Sequence, residues 1–185
     1  HRFSAGIALT QYNFEFRESF NSIDQIDLEQ SPRLAASYVE NNWQVDPLTQ
    51  IRLGIRCSYF SEEARFNVTP RASASRALNP HLRFKLGGGT YRQFLQLVTT
   101  EGFSGGDFWV PLDKSVAPGQ SWQSVAGLEW EPSRRYQFSI ETYYTDLNNL
   151  VVLDTNVSVN SRETMSEDLF ISGGRGHATG IEIFL

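Results

Sequence analysis

The sequence predicts an all-β fold, an antiparallel meander of about eight strands that forms part of a transmembrane β-barrel. Three observations lead there. Apolar and polar residues alternate with period two along most of the chain; tight and long connections follow one another in turn; charges stand in mid-strand while aromatics gather at strand ends.

The first strand is expected from about Arg2 to Phe16, with Phe3, Ala5, Ile7 and Leu9 on one side. The second runs from Arg33 to Val45 and the third from Gln50 to Phe60. In the third the separation is clean, with Ile51, Leu53, Ile55, Cys57 and Tyr59 opposite Arg52, Gly54, Arg56 and Ser58. The fourth, Phe66 to Ala77, carries Asn67, Thr69, Arg71, Ser73 and Ser75 on its polar side. The fifth, His81 to Tyr91, sets Leu82, Phe84 and Leu86 against His81, Arg83 and Lys85. The sixth, Ser121 to Glu131, and the seventh, Arg135 to Asp146, make a hairpin across Glu131–Arg134. The eighth, Arg175 to Leu185, places Thr179, Ile181, Ile183 and Leu185 against Gly176, Ala178, Gly180 and Glu182.

The connections at Asp46–Thr49, Leu78–Pro80 and Glu131–Arg134 are tight. Those at Arg17–Pro32, Arg92–Gln120 and Leu147–Gly174 are long, and Ser61–Arg65 is intermediate. In an antiparallel meander this puts the tight turns at one end and the long loops at the other, as in outer-membrane barrels. The polar sides carry Arg52, Arg56, Arg71, Arg83, Lys85, Glu129, Glu141 and Glu182 at mid-strand. A dry core would charge a large desolvation cost for each, whereas a wet lumen would not. The other reading of the alternation alone is a solvated face of a soluble sheet. Trp43, Trp130 and Tyr136 beside the tight turns, and Trp122 and Tyr143 beside the long loops, are placed as interfacial girdles would be. Strand lengths match the ~9 to 11 tilted residues that cross a bilayer.

Composition excludes several classes. A net charge of −5 offers no basic field for phosphate backbones, so no nucleic-acid partner is expected. Cys57 is the single cysteine, which rules out an intrachain disulfide or a thiolate cluster. It reads as a small apolar residue. No run approaches the ~18 apolar residues of a membrane helix, but barrels cross with strands. The chain opens directly in strand-like alternation at HRFSAGIALTQYNF, without Met or an export signal, so both ends are expected to have been cut from something longer.

Catalytic and metal chemistry find little support. His1, His81 and His177 are isolated, and His177 falls by parity on the apolar side. No Ser sits in a G-x-S-x-G turn. The glycine runs Gly87–Gly89 and Gly173–Gly176 lack the helix and Lys of a phosphate loop. Acidic loop residues such as Glu101, Asp107 and Asp113 have no EF-hand-like spacing. No cofactor and no enzyme activity are expected. The loop Arg92–Gln120 is the best ligand-binding candidate: Tyr91, Arg92, Phe103, Phe108 and Trp109 gather around Gly105, Gly106 and Asp107, and Phe94, Leu95 and Val98 suggest a short helix. These aromatics either stack on an incoming ligand or pack the loop onto its neighbours.

From Asn79 onward the chain carries an ordered series: NPHLRFKLGGGTYRQF, FWVPLDKSVAPGQSWQSVAGLEW, YQFSIETYYTDLNNLV and GGRGHATGIEIFL. It resembles the β-barrel of TonB-dependent outer-membrane receptors, at Trp109, Pro111, Asp113, Pro118, Ser121, Gly127, Glu129, Asn149, Leu150, Gly176, Ala178, Gly180 and Glu182. The first eighty residues resemble such strands in pattern only. Receptors of this family have about twenty-two strands, with an amino-terminal plug and a TonB box. Plug, box and terminal strands are absent here, so residues 1–185 are expected to form a single partial barrel domain. The resemblance implies an outer membrane of Gram-negative type and contact with its lipid. It also implies energy from the TonB complex through the parent's plug, and uptake of a small-molecule or oligosaccharide ligand: siderophore, cobalamin or glycan. Two rivals stay open. One is a complete eight-stranded membrane barrel with a structural or adhesive role; the other is a soluble β-barrel or sandwich that binds an apolar small molecule.

Overall fold

Period-two sequence becomes strand almost wherever it occurs. The computed structural model of the protein describes residues 1–20, 23–98, 108–153 and 170–185. Twelve strands follow in chain order: β1 (Arg2–Gln11), β2 (Phe14–Phe20), β3 (Ile23–Gln30), β4 (Arg33–Asp46), β5 (Thr49–Phe60), β6 (Arg65–Asn79), β7 (Leu82–Gln93), β8 (Leu95–Val98), β9 (Phe108–Pro111), β10 (Gly119–Ser133), β11 (Tyr136–Leu153) and β12 (Phe170–Phe184). Eight of them form one sheet in the order β1-β4-β5-β6-β7-β10-β11-β12, every neighbouring pair antiparallel. These are the eight strands the sequence predicts. Among the described residues β1 and β12 are free edges, so the sheet is open and the closed eight-stranded alternative is not what forms.

The remaining four strands lie in long connections and correct two expectations. The first strand stops at Gln11, and Phe16 belongs instead to β2, which pairs with β3 as a separate hairpin. The short helix suggested by Phe94, Leu95 and Val98 is replaced by β8, paired with β9 from Leu95↔Pro111 to Val98↔Phe108. Three apolar residues at helical spacing are too few to carry the cost of helix nucleation. A cross-strand ladder satisfies the same backbone at once. β11 and β12 also run deeper into their loop than expected, across bulges at Asn148/Leu150 and Leu150/Val152. Asn149 sits there at φ 55°, a left-handed conformation that Asn tolerates better than most residues.

The tight turns share one device. Asp46 Oδ1 accepts the Leu48 N–H at 2.7 Å, Asn79 Oδ1 accepts the His81 N–H at 2.8 Å, and Ser133 Oγ accepts the Arg135 N–H at 3.4 Å. In the first two a proline fills the position between, presetting φ for the reversal.

The register divides the sheet into two faces. Phe3, Val39, Ile55, Pro70 and the residues level with them share one face; Arg52, Arg83, Glu129 and Glu141 share the other. The apolar face is bare, with Ile7 85%, Leu9 83% and Ile181 69% exposed. The buried apolar residues sit instead at the long-loop end. Phe60, at 0% exposure, stacks on Phe94 at 5.1 Å, and Val110, Leu112, Val116 and Val151 are buried with it. Leu112 N–H donates to Phe94 O at 2.9 Å, fixing the β8–β9 hairpin to the end of β7.

One seam is shorter than its neighbours. β5–β6 and β7–β10 each pair over twelve residue positions, whereas β6–β7 pair over eight, from Asn79↔Leu82 only as far as Arg71↔Gly89. Beyond that point Arg65–Pro70 pairs with β5 alone and Thr90–Gln93 with β10 alone. Pro70 has no N–H to offer a ladder.

Candidate functional site

The polar face is built by parity. Arg83 lies opposite Glu129, which lies opposite Ser139; Gly127 lies opposite Glu141, which lies opposite Glu182. Arg52 pairs across to Asn42 and Ser73, and Arg56 to Tyr38 and Thr69. All eight charged residues singled out in the sequence therefore share one face, Arg71 lying between Gly54 and Gly89. Three of them take part in two ion pairs: Lys85 Nζ to Glu129 Oε2 at 2.9 Å, and Arg52 Nε to Glu40 Oε1 at 3.6 Å. Gln137 Nε2 donates to Glu129 Oε1 at 2.6 Å, so this carboxylate ties three neighbouring strands together. Glu141 and Glu182 are like charges set side by side, which is unfavourable unless water or a cation stands between them. Gly127 gives Glu141 room, since a Cβ there would meet its Cγ at 3.0 Å.

The aromatics fall at both ends. Trp43 lies four positions before Pro47, and Trp130 stacks on Phe138 at 5.4 Å near the Ser133 turn, with exposed Tyr136 beside it. Trp122, near the long-loop end, meets the Tyr144 ring at 6.2 Å on the apolar face. Tyr143 departs from the expectation. Adjacent strand residues face opposite ways, so Tyr143 turns to the polar face, opposite Val125 and Gly180. Its hydroxyl lies 2.6 Å from where a Cβ on Gly180 would be. Tyr38 covers Gly6 in the same way.

At the long-loop end Tyr91 and Trp109 come together with Arg56, Phe60, Thr69, Arg71, Arg92 and Phe94 around a cavity of about 460 Å³. Phe108 opens β9, and Phe103 lies outside the described residues. One lining residue was missed as a site candidate, Tyr12, just past β1; Arg71, placed on the polar side with Thr69 and Ser73, lines the cavity too. No carboxylate pairs with Arg56, Arg71 or Arg92 among the described residues. There too, no group of three His, Cys, Asp or Glu could hold a metal ion. His177 stacks on Tyr144 at 6.5 Å on the apolar face, away from this cavity.

Residues 1–185 match the family described as TonB dependent receptor-like, beta-barrel. Among solved structures the chain resembles the siderophore receptor PirA of Pseudomonas aeruginosa, with TM-score 0.70 and 16% identity over 98% of this chain and 35% of that one. It resembles a mutant of the ferric enterobactin receptor PfeA of Pseudomonas aeruginosa, crystallised with enterobactin, with TM-score 0.70 and 13% identity over 98% and 30%. PirA of Acinetobacter baumannii gives 0.61 and 16% over 84% and 25%. The chain thus spans about a third or less of the receptors it matches. No curated protein sequence matches it.

Proposed function

Since this chain belongs to the TonB-dependent receptor family through its β-barrel, we propose that it forms wall and ligand-capturing loops of an outer-membrane receptor that imports a siderophore. The family consists of receptors, not enzymes. The observation that carries the reading is the bare apolar face, continuous across eight strands, opposite a face of charges. A soluble monomer does not leave such an area in water. Hydrocarbon covers it at no cost, while the charges meet the lumen and the plug of the full-length protein.

In this arrangement the tight turns are periplasmic and the long loops extracellular. Trp43, Trp130 and Tyr136 then sit at the inner headgroups and Trp122 at the outer ones. Tyr91, Arg92 and Trp109 stand at the mouth, and Phe103 and Phe108 belong to the same loop. Loops capture the ligand, and the TonB complex acting on the plug supplies energy for its passage. That the solved structures this chain resembles include two siderophore receptors and a ferric enterobactin receptor favours a ferric chelate over a cobalamin or glycan.

The test is to fractionate cells that carry the full-length protein and to compare uptake of labelled ferric siderophores with a deletion strain under iron limitation. Outer-membrane location with a lost uptake activity is the expected result. A protein recovered soluble without detergent would sink the reading.

A further inference from the structure

Register sets three arginines one below another on the polar face. Arg56 stands in a row with Tyr38 and Thr69, Arg71 in a row with Glu40, Gly54 and Gly89, and Arg52 in a row with Asn42, Ser73 and Gly87. Rows on one face are two residues apart, so each lies about 7 Å nearer the tight turns than the one before it. Arg56 lines the 460 Å³ cavity at the long-loop end, and Arg52 lines a second hollow of about 420 Å³ beside Gln123, Tyr143 and Thr145. Arg71 and Tyr91 line both. Arg71 has a glycine on either side: a Cβ on Gly54 would meet its Cγ at 3.1 Å, and one on Gly89 would meet its Cβ at 3.0 Å. Its stem therefore lies over Gly54, and neither neighbouring strand sets a side chain opposite it to hold it in one place. Among the described residues Arg56 and Arg71 have no carboxylate partner, and Arg52, itself half exposed, holds Glu40 loosely at 3.6 Å.

We infer that Arg56, Arg71 and Arg52 form a ladder by which the receptor takes in an anionic ferric chelate, with Arg71 the rung that passes it from the outer hollow to the inner one. An anion held between Arg56 and Arg71 meets charge-assisted donors for which no carboxylate competes. Because the stem of Arg71 crosses a glycine, its guanidinium is free to follow the anion one row inward. There Arg52 takes up the charge as it gives up Glu40, an exchange of one exposed partner for another that costs little. The anion thus reaches each cation before it leaves the last. Tyr91 offers both hollows the same aromatic face, which suits an aryl chelator. A neutral chelate gains nothing from such a wall. This deepens the receptor reading by naming the charge class of the ligand, and it rests on that reading for the direction of passage.

The experiment titrates the purified full-length protein in detergent with a trianionic ferric tricatecholate, with ferric citrate, also an anion, and with a neutral ferric trihydroxamate. At least one of the anions should bind, the neutral chelate should not, and added salt should weaken the anion's binding. Arg71→Gln should weaken it about tenfold, the loss expected of one charged hydrogen bond, and Arg71→Lys should restore most of it. Uptake of the bound anion by cells separates the rungs. Arg56→Gln should raise the half-saturating concentration, Arg52→Gln should lower the maximal rate with that concentration unchanged, and Arg71→Gln should do both. If a glutamine variant does not fold, the salt dependence of the unaltered protein and the lysine variant decide. Absence of anion binding, equal binding of the neutral chelate, or an affinity that neither salt nor the arginine substitutions change would overturn the proposal. Uptake of the neutral chelate alone would defeat the ladder and leave the receptor reading. Arginine-dependent anion binding without uptake of any ferric chelate would defeat the receptor reading and leave the ladder as an anion site.

Discussion

Single side chains close the tight turns, and each does so with one oxygen. Asn79→Ala removes the acceptor for the His81 N–H and should cost about 1 kcal/mol, read as a shift in the denaturant midpoint of the full-length protein in detergent. At the Asp46 turn the Leu48 N–H holds the carboxylate below the ordinary aspartate value of 3.8. A depressed folded-state pKa means that the turn's contribution is complete above the unfolded value and disappears as pH falls through the folded one. An NMR titration of Asp46 should therefore give a midpoint below 3.8, and Asp46→Asn should flatten that acid-range dependence. Glycines separate into two kinds. A Cβ at Gly180 meets only the movable ring of Tyr143, whereas one at Gly88 meets the Gln123 carbonyl oxygen at 2.9 Å. Gly88→Ala should then destabilise by roughly 1–3 kcal/mol, the range for forced overpacking, and Gly180→Ala by clearly less on the same denaturant assay. Neither difference was legible in the sequence, where both glycines look like strand residues; their partners are set by register, which a single strand does not state.

Strands differ in how openly they announce themselves. The clean alternation of Ile51 to Tyr59 fixes β5 and its faces, and the D-P and N-P dipeptides mark the two turns that follow them. Tyr143 and Tyr144 are two adjacent aromatics that both suit an interface, and parity with Glu141 turns Tyr143 to the polar face and leaves Tyr144 on the apolar one. β8 and β9 were hidden. Their four-residue strands are held by tertiary burial rather than by local pattern, through Phe94 on Phe60 and the burial of Val110 and Leu112. Phe60→Ala should cost about 3–5 kcal/mol in that local core. The loss should appear as faster hydrogen exchange over residues 109–116, with little change in β10 or β11, because those strands keep their own ladder.

For the molecule as a whole, the decisive property is which face meets which solvent. Leu53→Arg puts a charge on the apolar face and should destabilise the protein in bilayers by about 2–4 kcal/mol near the midplane. Ser139→Arg puts the same charge on the polar face, beside Glu129, and should change stability little. Equal effects in a lipid-vesicle unfolding titration would reverse or erase the assignment of the two faces. The open edges at β1 and β12 bear on the same point, since unpaired strand edges invite pairing with another strand.

The β2–β3 and β8–β9 hairpins are separate two-stranded sheets with their own registers, inserted where the main ladder has already ended. Their length or sequence can therefore change without moving a single pairing in the wall. The molecule is divided into a conservative part, in which an insertion of one residue turns every later side chain to the wrong solvent, and an inventive part, in which an insertion leaves the register of the wall unchanged. A lineage under pressure to recognise a new ligand can rewrite the second while leaving the first untouched.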